Sequence, residues 1–194
     1  PLGALDRKLR DHMQMEIKAL HKRLGITILY VTHDQEEALA MSDRICLMNQ
    51  GRIEQLGTPS DLYFRPRSEF VADFLGESNI LSAEVSSAGT VRAEGGLLIH
   101  VQSTDGLASG RPVKIVVRPE AMRLLGNGDE ADNTLSGTLT DRVFGGGVFR
   151  HFVSIEHGPV LLAKQFADRP AAVPDIGASV RLGWDAEQTV VLAQ

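Results

Sequence analysis

The stretch ITILYVTHDQEEALAMS, residues 26–42, decides how the first part of the chain is read. Its first seven residues are almost all apolar or β-branched, which suits a parallel strand covered on both faces better than one with an alternating wet side. Asp34 and Gln35 follow, then Glu36 and Glu37 bring acidic groups into the first turn of a short helix whose apolar residues are Ala38, Leu39 and Met41. A buried strand running directly into a helix is an α/β pattern. His33 stands at the junction, at the carboxyl end of the predicted strand, where open α/β sheets bind their ligands. An imidazole there can donate a hydrogen bond to a phosphate oxygen, and the adjoining helix dipole also favours an anion. The alternative is a strand-end histidine bonded locally to Asp34 or to backbone.

Upstream, Asp6 caps a helix over RKLRDHMQMEIKALHKRLG, with Leu9, Met13, Ile17, Leu20 and Leu24 on one face and Gly25 as its stop. Downstream, RICLMNQGRIEQLG reads as a hairpin turning at Asn49, Gln50 and Gly51. TPSDLYFRP, with Pro59 at the first helical position, and SEFVADFLG, ended by Gly76, are two short linker helices. After Ser78 the pattern becomes one of short β runs: ILSAEVSS, LLIHVQ, PVKIVVRP, SGTLTDRVF, GVFRHFVSIEH, PVLLAKQF, ASVRLGW and TVVLA, split by Gly, Pro, Asn and Asp turns. A second, all-β domain is expected there, a small barrel or sandwich of OB-like size. The polar run at 126–133 reads as a loop.

The composition narrows the function classes. A net charge of −5 over 194 residues, with no basic stripe, argues against a polyanion as the main partner, so no nucleic acid is expected. The single cysteine, Cys46, lies in the apolar run ICLM and cannot form an intrachain disulfide, which suits a reducing compartment. No run approaches the ~18 apolar residues of a spanning helix, and the opening PLGALDRKLR has no signal-peptide core. A start on Pro-Leu-Gly, without an initiator Met, is expected of a chain whose upstream part was cut away or left out. His12 and His21 fall on a charged helix face, and His100, His151 and His157 fall singly in β segments, so solvated histidines and no metal site are expected. The glycines 145–147 read as a turn or bulge, Trp184 as packing a barrel edge, and Phe144, Phe149 and Phe152 as core.

The run from PLGALDRKLR through THDQEEA to FLGESN resembles the end of the nucleotide-binding domain of ATP-binding cassette (ABC) import ATPases of the maltose, polyamine and ferric-iron type. In that resemblance Gly3, Ala4, Leu5 and Asp6 match a D-loop, with Gly in the usual Ser place, and the family's catalytic Glu would directly precede Pro1. His33 matches the switch histidine, which contacts the ATP γ-phosphate and helps to position the attacking water. VRPEAMRLL, GTLTDRVFGGGVFRHFVSIEHG and VRLGWDAEQTVVL are similar, in pattern and order, to the accessory β-domain called TOBE. The implied fold is an α/β remnant of a P-loop nucleotide-binding domain at residues 1–75, then an all-β OB-like TOBE barrel at residues 79–194.

The resemblance assigns His33 a catalytic role and His33 with Asp6 a nucleotide-binding one, with ATP and Mg²⁺ the cofactors of the complete parent and none expected for this chain alone. The sequence contains no G-x-x-x-x-G-K-[ST] loop to cradle phosphates, and the family's signature, Q-loop and Walker B carboxylates are missing too. Phosphoryl transfer depends on positioning and charge stabilisation, so the chain alone is expected to be inactive. The implied partners are membrane permease subunits and a second copy, since a strand taken out of a larger sheet leaves apolar faces uncovered. The implied location is cytoplasmic, on the inner face of the membrane. FLGESNIL carries a slight polyamine-importer flavour. A regulatory module whose β-domain binds an effector, a small anion or a partner protein is the other function considered.

Overall fold

Asp6 accepts from the Leu9 amide at 3.0 Å and starts helix α1, Arg7–Leu24, which Gly25 closes in the left-handed conformation. The computed structural model describes residues 6–167 and 174–193. The chain divides into two compact units, Pro1–Gly76 and Glu77–Gln194.

In the first unit, α1 is followed by α2, Gln35–Met41, the hairpin β1, Ile45–Asn49, with β2, Arg52–Gly57, and the short helices α3, Pro59–Phe64, and α4, Glu69–Phe74. The hairpin turns on Gln50 and Gly51, both at positive φ, the backbone of a tight turn matched to strand twist. Thr58 and Asp61 form a reciprocal capping box at the start of α3, with Pro59 in the first turn. Leu62, Val71 and Leu75 pack with Ile45 and Leu47 into a small core.

The strand expected at 26–32 does not form: these residues join no ladder among the described residues. Leu29 is 90% exposed and Val31 86%. The run carries the composition of a covered strand, but strands exist only by pairing, and no described strand pairs with it. The described secondary structure of this unit is therefore helices and one hairpin, without a parallel sheet. Cys46 is also exposed, because it faces away from the side of β1 that buries Ile45 and Leu47.

The second unit consists of two five-stranded antiparallel sheets in the orders β12-β6-β3-β4-β5 and β10-β9-β8-β11-β7. Its strands are β3, Asn79–Ser87; β4, Thr90–Ala93; β5, Leu98–His100; β6, Pro112–Val117; β7, Arg123–Leu124; β8, Asn133–Phe144; β9, Val148–Ile155; β10, Val160–Phe166; β11, Ser179–Trp184; and β12, Thr189–Ala193. The eight predicted β runs all contain strands, whereas β4 and the very short β7 were passed over. One core spans both sheets, with Leu81, Val91, Ile99 and Ile115 from one meeting Leu139, Val153, Leu161, Leu182 and Trp184 from the other.

The strand orders expose an internal repeat that the sequence reading missed. β3 to β7 and β8 to β12 are two five-strand halves, and each half gives its last strand to the other's sheet. NILSAEV at 79–85 recurs as NTLSGTL at 133–139, and GRPVKIVVRPE at 110–120 as GASVRLGWDAE at 177–187. The repeat extends to hydrogen bonding. The buried Asn79 amide donates to the Leu162 carbonyl and accepts from the Leu162 amide, both at 2.8 Å. Its counterpart Asn133 accepts from the His100 amide at 2.7 Å and donates to the His100 carbonyl at 2.9 Å. Each asparagine thus pairs with the backbone of the other sheet as a peptide unit would.

Three readings of single residues are corrected. Trp184 is fully buried, donating to the Thr189 hydroxyl at 2.9 Å, so it fills the core rather than an edge. Phe144 is 61% exposed, and Phe149 and Phe152 are only half-buried. His151, expected to be solvated, is fully buried on the face of β9 that carries Val153 and Ile155.

Candidate functional site

Residues 30–37 form the most highly organised polar segment of the first unit. Asp34 is the N-cap of α2, and its Oδ1 accepts from the amides of Glu36 at 2.8 Å and Glu37 at 3.2 Å. Its Oδ2 lies 3.8 Å from the Arg10 guanidinium, one turn into α1. The extended segment after Gly25 therefore returns along α1, which a chain rising about 3.3 Å per residue does in fewer residues than the helix used at 1.5 Å. The Lys18 ammonium donates to the Ala40 carbonyl at 3.0 Å and ties α1 to α2 further along.

His33 occupies the bend between the extended segment and α2 and is exposed. Asp6 begins α1, so the Arg10–Asp34 contact brings the starts of α1 and α2, and with them the neighbourhoods of the two predicted residues, to the same end of this helix pair. The carboxylate of Asp6 is engaged as a helix cap. Gly3, Ala4 and Leu5, the rest of the predicted loop, lie outside the described residues.

Glu37 is the residue that sequence reading missed. It looked like one of two acidic side chains complementing a helix dipole, yet it is 2% exposed and turns inward. Its Oε2 accepts from the Thr32 hydroxyl at 2.7 Å and from the Tyr30 hydroxyl at 2.8 Å. The Thr32 hydroxyl in turn accepts from the Asp34 amide at 3.0 Å. The Thr32 hydrogen bond, aided by the one from Tyr30, holds the carboxyl below the usual range despite burial and the nearby Asp34 charge. The available signal was the i, i+2 spacing of Tyr30 and Thr32, which puts both hydroxyls on one side of an extended chain.

Among the described residues, no group of three or more His, Cys, Asp and Glu could hold a metal ion, and no helix is long and apolar enough to cross a membrane. An exposed imidazole has the hydrogen-bonding chemistry to meet a phosphate oxygen.

Residues 115–192, from β6 into β12, match the TOBE domain, and the whole chain is similar to the C-terminal part of ABC importer ATP-binding subunits. The particular relatives are spermidine/putrescine import ATP-binding proteins PotA. That of Rubrobacter xylanophilus is 41% identical over 99% of this chain and 52% of its own length, and that of Thermobifida fusca 42% over 99% and 51%. That of Acetivibrio thermocellus is 49% identical over 75% of this chain and 40% of its own. The chain thus spans about half the length of the first two relatives. The cytoplasmic molybdate-binding protein ModG, in its molybdate-bound form, shares the fold at TM-score 0.55 and 18% identity, covering 60% of this chain and 96% of its own.

Proposed function

We propose that this chain acts as part of the ATP-binding subunit of an ABC importer that couples ATP hydrolysis to polyamine uptake. His33 meets the γ-phosphate and helps to place the attacking water, and the Asp6 segment lies at the nucleotide interface. ATP·Mg²⁺ would supply the phosphoryl chemistry when bound in the complete subunit. Residues 1–75 and 79–194 serve as the switch-bearing part of the nucleotide-binding domain and the accessory β-domain. The partners are permease subunits at the cytoplasmic face of the membrane and a second copy of the subunit.

The exposure of His33 beside a braced helix start carries this reading. Asp34, the local partner that would make His33 a mere strand-end residue, is committed to the α2 cap and to Arg10. A donor aimed at developing phosphate charge contributes on the order of 10²-fold or more to turnover.

The test is a chimera in which the unmatched part of the Rubrobacter xylanophilus relative precedes this chain. Mg-ATP hydrolysis by the chimera, absent from the chain alone and lowered on the order of 10²-fold by His33→Ala, is the expected result. Turnover by the chain alone, or a chimera indifferent to His33→Ala, would overturn it. Light scattering at micromolar concentration tests the second copy, a monomeric mass counting against it.

A further inference from the structure

We infer that Glu37 is the positioning residue of the His33 bend, a role that rests on the reading of His33 just given. Four observations converge on it. Glu37 is the fully buried residue of α2, while its neighbour Glu36 is exposed. One oxygen of its carboxylate accepts from both Tyr30 and Thr32, two alternate residues of the extended segment entering the bend. The Thr32 hydroxyl uses its proton on Glu37 and its lone pair on the Asp34 amide, so one side chain spans the His33 residue from both sides. Asp34 then caps the helix that carries Glu37, which closes the ring of contacts.

The ring has a mechanical consequence. The segment entering the bend joins no ladder among the described residues, where strand pairing would otherwise hold its backbone. The Tyr30 and Thr32 hydroxyls take over that work by anchoring the segment to α2 through Glu37. Among the described residues the ring holds the chain on either side of His33, so the bend is fixed while the residue itself stays exposed. A buried carboxylate receiving two O–H donors makes the stronger, charge-assisted kind of hydrogen bond, and an acceptor removed from such a ring leaves both hydroxyls searching for partners.

The experiment uses the chain as it stands. Backbone amide relaxation by NMR, in particular the ¹H–¹⁵N heteronuclear NOE of Val31 to Asp34, is compared for wild type, Glu37→Ala, Glu37→Gln and Thr32→Val, with amides of the β-domain as folding reference. Ordered values at His33 and Asp34 are expected in wild type. They fall to those of a mobile loop in Glu37→Ala and Thr32→Val, while the reference amides are unchanged. Glu37→Gln keeps the acceptor but puts an NH₂ in place of the other oxygen, and it recovers most of the order. Should Glu37→Ala melt α2 altogether, Thr32→Val, which leaves the helix intact, decides the matter. Unchanged order at His33 in Thr32→Val, or in a folded Glu37→Ala, overturns the inference.

In the chimera, Glu37→Ala lowers kcat on the order of 10²-fold, the scale of a 1 Å misplacement, with the KM for ATP unchanged and partial recovery in Glu37→Gln. Loss of order at His33 together with a chimera indifferent to His33→Ala would leave the positioning role standing and the phosphate-contact reading refuted. The two failures are thereby told apart.

Discussion

A fully buried imidazole whose nitrogens have no well-formed hydrogen bond among the described residues, as at His151, is a standing cost to the fold. Burial pushes its pKa down from 6.5, a weak polar contact with the Gln165 side chain, diagonal to it on β10, opposes that, and the Arg142 charge across the β8–β9 ladder adds to it. A depressed folded pKa means that the unfolded chain takes up the proton first. Stability from this group is therefore complete above the unfolded value of 6.5 and is lost as pH falls from there through the folded value. His151→Leu, which removes the orphaned nitrogens from an apolar face, is expected to stabilise by about 1 kcal/mol at pH 8 and by more at pH 5. Urea unfolding at the two pH values measures both. A variant whose midpoint keeps the wild-type pH dependence would show that another group titrates. Glu37 has the same sign at lower pH. Its depressed carboxyl contributes above 4.5 and fails as pH falls through the folded value, so the His33 bend loosens in acid.

The linker helices were legible because their signals are local. Thr58, Pro59 and Asp61 state a helix start within four residues, and the structure realises it as a reciprocal capping box. Thr58→Ala is expected to cost about 1 kcal/mol, measurable by denaturant titration, and Thr58→Ser to cost much less. The segment 26–32 shows the opposite case. Its apolar run encodes an environment, but not who provides it, and the same residues stand exposed where no neighbouring strand is described. The β8–β9 hairpin shows a third difficulty. Phe149, His151 and Val153 share one face and Arg150 and Phe152 the other, so apolar and polar residues occur on both and the pattern does not say which face is core. Register decided it, placing His151 inside and leaving Phe144 mostly exposed. The His33 junction was readable from motif and position, whereas the Glu37 contacts depend on a turn of the chain that charge patterning does not reveal.

At the scale of the molecule, the β unit is held by pairs of features that answer one another across its two halves. Asn79 and Asn133 are equivalent in the repeat and each makes two hydrogen bonds to the opposite sheet. Asn79→Ala and Asn133→Ala are expected to cost similar amounts, about 1–3 kcal/mol each, since each leaves a part-buried backbone N–H and C=O without the side chain that meets them. Thermal melts of the two variants test the equivalence. A chain ending after Gln188 lacks β12, and with it one of the two neighbours of β6 and the Thr189 hydroxyl that Trp184 meets. Both sheets, not one, are expected to lose their protected amides in hydrogen exchange. The exchange of last strands also has a meaning in time. During synthesis the first half emerges complete in residues but not in structure, because β12, the strand that finishes its sheet, is made only after the rest of the second half. The earlier half must wait, partly open, until β12 has left the ribosome, and the β unit closes in one step after that rather than as two modules folding in turn.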